Sequence, residues 1–215
     1  MTVVLELQYS GLVTPDTRSD TRRKMIAGAA VAIGTRGVGA MSLRDLAKEA
    51  GVPLGSTYHH FPGGKAQLAE EAVSSIGRKV ARLVDKAREE GIESALEAFA
   101  RVWREQLVDT DFRTGCPVLA VATGDDPELT ETARSIFTSW QDLMVDGLVA
   151  DGVPQHRAPG LARMIISSLE GAVAVSRAER SLEPLDQVSV ELVTLVQSAR
   201  SSEALPDSLR RTPPR

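Results

Sequence analysis

The side chains best equipped for chemistry fall in one short stretch, where Ser42, Arg44, Ser56, Tyr58, His59, His60 and Lys65 lie close together. Their spacing does not suit bond-making. His59 and His60 are adjacent, so on a helix they point about 100° apart and do not share a metal. The remaining histidine is His156, and no Ser/His/Asp set, glycine-rich phosphate loop or metal-spaced cluster accompanies any of the three. Asp125-Asp126 precedes Pro127 and reads as a helix cap rather than an acid/base pair. The chain is therefore expected to be no enzyme and to hold neither metal nor cofactor. Hydroxyls, imidazoles, a phenol and cations together suit a polyanion.

Charge supports that choice. The chain carries −4 overall, yet Arg18 to Lys65 holds eight basic residues against three acidic, leaving the rest strongly acidic. A basic head on an acidic body is a footprint of nucleic-acid binding.

Such side chains need short, rigid elements to present them. Met25, Ile26, Ala29, Ala30 and Ile33 recur at three and four, predicting a helix that Ser19 or Asp20 caps and Gly37 and Gly39 end. Ser42 caps a second helix, with Asp45 three residues on as in a capping box, and Gly51 closes it. Pro53 then precedes a third helix over about 54–60. Helix, tight turn with glycine, short helix is helix-turn-helix spacing.

The segment Ser42 to Phe61 resembles the signature of the TetR family, through Ser42, Leu46, Ala47, Ala50, Gly51, Val52, Gly55, Ser56, Tyr58, His60 and Phe61, with Leu68 beyond. The resemblance covers roughly residues 20–80 and implies an all-α fold: a DNA-binding head and a C-terminal body for effector binding and dimerisation. It implies that Leu54, Gly55, Ser56, Tyr58 and His59 enter a major groove, while Ser42, Arg44, His60 and Lys65 reach phosphates. Three departures stand out. Pro53 replaces a capping Ser, Thr57 replaces Leu or Ile, and Lys65 is displaced by one position. Pro53 to Phe61 contains no Arg, Asn or Gln, so readout is expected from Tyr58, His59, methyl contacts and DNA shape.

About six further helices follow, giving about nine in all with no strand pattern. The fourth runs to about Glu90, the seventh from Asp126 to near Gly152, and the last two over about 156–178 and 184–201. The units expected are a disordered leader over 1–17, a head over 18–66 (motif about 42–61, running into the fourth helix to about 79), a body over 67–201 and a flexible tail over 202–215. Gly115-Cys116-Pro117-Val118 and Phe61-Pro62-Gly63-Gly64-Lys65 resemble motifs of the LmrA/YxaF-like subgroup, which implies a small organic effector, hydrophobic or aromatic. Trp103, Leu107, Cys116, Phe137, Trp140, Met144 and Leu169 are candidate pocket residues. Leu161, Ile165, Ala172, Val188, Leu192, Leu195 and Val196 are candidates for a homodimer interface, because the last helix is apolar on more than one side.

No run of about 18 apolar residues appears, so no membrane span is expected. The single cysteine fits a reducing compartment, and the chain is expected in the cytoplasm. The expected partners are double-stranded operator DNA, a second copy of the chain and the effector. A repressor leads; an activator on the same fold, or a helical enzyme, are the alternatives.

Overall fold

A computed structural model describes residues 17–200. The leader expected over residues 1–17 and the tail over 202–215 lie outside these residues, apart from Thr17. Thr17 already lies in the first helix, as do the predicted caps Ser19 and Asp20.

Among the described residues the chain forms nine α-helices, one 3-10 turn and no strand. The head comprises α1 (Thr17–Arg36), α2 (Leu43–Glu49) and α3 (Leu54–His60). The body comprises α4 (Gly64–Ala87), a 3-10 turn (Arg88–Glu90), α5 (Ile92–Asp109), α6 (Pro117–Ala122), α7 (Pro127–Ala150), α8 (Ala158–Glu179) and α9 (Glu183–Arg200).

Local chemistry explains the boundaries. Asp126 accepts from the backbone N–H groups of Glu128 and Leu129 at 3.0 and 3.2 Å, with Pro127 at the first helical position of α7. Gly51 ends α2 with φ +71°, in the left-handed region that glycine enters without strain. The Gly51 N–H donates to Lys48 O, and the Val52 N–H donates to Ala47 O.

Packing sets the layout. α1 lies across α4 and α6, α4 lies between α5 and α7, and α8 packs on α5, α7 and α9. Met25, Ala29 and Ile33 of α1 meet Leu46, Phe61, Leu68 and Ala72 in one continuous apolar core. α8 has the length and composition of a membrane span, but half of its most apolar window is buried inside the molecule. Its apolar character therefore goes to the core of a helical body.

Candidate nucleic-acid interface and its link to the body

The head is built around Phe61, which is fully buried at the end of α3. The Arg22 guanidinium sits 5.3 Å from the Phe61 ring centre and pairs with Glu71. These contacts tie α1, α3 and α4 together, so α3 cannot rock freely on the core. Along α3, Thr57 is fully buried while Tyr58 and His59 face solvent, Tyr58 being 55% exposed. A seven-residue helix is only about 10 Å long, so its outward side chains form a compact, protruding edge.

The departures from the family signature have structural consequences. Pro53 stands at the cap of α3 and supplies no side-chain bond to it. The Thr57 hydroxyl is buried and finds no hydrogen-bond partner among the described residues. Lys65 donates from Nζ to Gly39 O at 2.9 Å, fastening the start of α4 to the α1–α2 turn. An ammonium has three donors, so two remain for an anion.

Ser42 caps α2, its Oγ accepting from the Asp45 N–H at 3.3 Å. Arg44 and Gly55 are exposed; Ser42, Leu54, Ser56, His60 and Lys65 are half-buried.

The candidate pocket residues of the body lie in its interior. Trp103, Leu107, Cys116, Trp140, Met144 and Leu169 are buried, and Phe137 is half-buried. Phe99, Trp103, Phe137 and Trp140 make edge-on ring contacts with centroids 5.3–6.3 Å apart, as aromatic quadrupoles favour. Trp140 also donates from Nε1 to Gly77 O at 3.0 Å, locking α7 to α4. In this conformation these side chains are core. Two surface clefts are lined by others: one of about 630 Å³ between the starts of α4 and α7, and one of about 470 Å³ along the outer face of α7.

The candidate interface residues also lie largely inside the chain. Leu161, Ile165, Ala172, Leu192 and Val196 are buried within one chain, and Val188 and Leu195 are half-buried. Their stripes meet the chain's own core because α8 and α9 pack on each other and on α5. The large apolar residues facing outward on these helices are Met164, Val175 and Val190, which are 44%, 45% and 65% exposed.

Two further features emerge from the fold. The first is a joint between head and body. Arg177 of α8 donates from Nη1 to Gly34 O at 3.2 Å and from Nη2 to Thr35 O at 2.7 Å. The Gly115 N–H donates to Gly34 O at 3.0 Å, and the Thr35 and Thr114 hydroxyls bond at 2.7 Å. Gly34 allows this close approach, since a Cβ there would stand 2.4 Å from Gly115 O. The end of α1 is thus held by α8 and by the residues leading into α6.

The second feature is Glu170, a carboxyl only 3% exposed in the apolar body. Beside it lies the buried Cys116 thiol, whose Sγ caps α6 by accepting from the Leu119 N–H at 3.4 Å. Apart from that thiol, a weak donor, no group among the described residues donates to either Glu170 oxygen. Burial pushes the Glu170 carboxyl up to about 7, and the thiol only partly offsets it. Burial first, and the neighbouring carboxylate second, push the Cys116 thiol well above its ordinary range. It is therefore a poor nucleophile. A usable signal did exist in the row Ala162, Ile166, Glu170, Val173, which places the acid in an apolar helix stripe.

Comparison with known proteins agrees with this architecture. Residues 25–72 match the family model of the bacterial regulatory proteins of the tetR family, and residues 93–191 match the C-terminal domain of LmrA/YxaF-like transcriptional regulators. An HTH-type transcriptional regulator of Mycobacterium tuberculosis H37Rv is 40% identical over 183 residues, covering 81% of this chain and 93% of the relative. The HTH-type transcriptional regulator YxaF of Bacillus subtilis is 29% identical over 187 residues, covering 84% and 97%. Among solved structures, a TetR transcriptional regulator from Legionella pneumophila superposes with a TM-score of 0.74 at 18% identity, covering 86% of this chain and 99% of its own.

Proposed function

We propose that this chain, which belongs to the TetR family of bacterial transcriptional regulators, is a homodimeric repressor released from a palindromic operator by a small organic effector. TetR regulators bind operator DNA and act as dimers, and the LmrA/YxaF-like match extends the kinship into the body.

The observation that carries the reading is the arrangement of α3. Thr57 and Phe61 anchor it inward while Tyr58 and His59 project outward from the basic end of the chain. In this reading Leu54, Gly55, Ser56, Tyr58 and His59 meet base edges, and Ser42, Arg44, His60 and Lys65 hold phosphates. Two such heads about 34–36 Å apart fit successive major grooves. The dimer face is assigned to the outward residues Met164, Val175 and Val190 of α8 and α9, whose exposed apolar surface a second copy would cover.

Release follows from the joint. An effector that displaces α6 or α8 moves Thr114, Gly115 or Arg177, and these hold the end of α1. The heads then lose the spacing the operator needs, a shift between two arrangements biased by the ligand. Selection from a pool of random duplexes is the test. An enriched inverted repeat, bound by a dimer and freed by an effector, is the expected outcome; equal affinity for random DNA would sink the reading.

A further inference from the structure

Among the described residues the carboxyl of Glu170 has no partner suited to it. Leaving an acceptor pair of this kind unmet in an apolar interior is destabilising, the more so when it is ionised. Structural buried carboxylates are ordinarily paired with a cation or with several donors. Arg177, two turns along the same helix, is engaged with Gly34 and Thr35, and Arg163 on the other side is exposed. Beside Glu170 lies the Cys116 thiol, at the root of a helix only six residues long. The loop before that helix carries Asp111 and Phe112 with φ +51° and +56°, an unfavourable backbone for non-glycine residues.

We propose that Glu170 and Cys116 mark the polar end of the effector site, and that the effector is a lipophilic cation, an apolar body bearing a protonated nitrogen that donates to the Glu170 carboxylate. This rests on the body being effector-responsive, as argued above. A charge-assisted bond satisfies the buried acid better than a neutral donor does, and an anion would be repelled. The aromatic rings of Phe99, Trp103, Phe137 and Trp140 supply apolar surface in the same core. Entry to the site requires α6 to yield, because Glu170 and Cys116 are both buried. Cys116 adjoins Gly115 and Thr114, so ligand entry pulls directly on the residues that hold α1.

The test uses three matched probes on the full-length protein above neutral pH: 2-naphthylmethylamine, the isosteric 2-naphthalenemethanol and 2-naphthoate. Affinity is read by calorimetry. The wild type is expected to bind the amine at least about tenfold tighter than the alcohol. Glu170→Gln is expected to remove that preference while retaining the alcohol's affinity. Equal binding of amine and alcohol, a preference that survives in Glu170→Gln, or binding of none of the three overturns the proposal. Should the variant fail to fold, the carboxyl-13C titration of wild-type Glu170 decides: the amine must lower its midpoint and the alcohol must not. These measurements contain no DNA, so the cation site and the repressor reading can fail independently.

Discussion

Replacing Glu170 by Gln removes a buried titrating group and nearly preserves its shape, so its effect on stability should change with pH in a calculable way. Burial holds the folded carboxyl at about 7, against an ordinary value of 4.5. Below 4.5 the acid is protonated in both folded and unfolded chains, and its contribution to stability is fully present. As pH rises from 4.5 to 7 the unfolded chain releases its proton while the folded chain retains it, and stability falls. Above 7 both forms are ionised and the loss levels off. The gap corresponds to about 3 kcal/mol. Glutamine suffers a constant penalty for its own buried amide but has no such pH term. The variant should therefore gain on the wild type by about 3 kcal/mol across this window, whatever the offset at low pH. Urea unfolding of both proteins at several pH values gives the difference directly. A difference flat with pH would show that the Glu170 carboxyl is not held protonated by burial, and would refute the reasoning.

Other substitutions probe the joint and the head. Arg177→Ala removes two charge-assisted bonds to Gly34 and Thr35, and should cost about 2 kcal/mol in denaturant midpoint measurements while hydrogen exchange quickens at the end of α1. Gly34→Ala places a Cβ against Gly115 O and should cost at least 2 kcal/mol by thermal or chemical unfolding, roughly the scale of overpacking. Thr57→Val replaces an unpartnered buried hydroxyl with a methyl of similar shape and should raise stability by about 1 kcal/mol. Tyr58→Ala, at an exposed site, should leave the melting temperature nearly unchanged and weaken operator binding by about 1–3 kcal/mol in fluorescence anisotropy.

The head was legible because its determinants are local. The Ser42 cap, the Gly51 turn, the Pro53 entry and the anchoring Phe61 each act within a few residues, and the motif places them in order. The departures could be read as well: Thr57 at an apolar position is indeed buried without a partner. The body was less legible because an apolar stripe states that a face is covered, not what covers it. Trp103, Trp140 and Leu169 read equally as pocket or core, and in this conformation they are core. Leu161, Ile165 and Val196 read as interface, yet α5, α8 and α9 bury them within one chain. Arg177 escaped notice because its partners are backbone carbonyls more than a hundred positions away, at Gly34 and Thr35. A salt bridge pattern would have been visible; a side chain to a distant carbonyl is not.

Footprinting of the selected operator, with and without effector and over a range of salt, tests the central claim most directly. The account predicts two protected half-sites about one helical turn apart, binding that weakens steeply as salt rises, and protection lost when the effector is added. Protection spread evenly over any sequence, or a single site held by one copy of the chain, would contradict it.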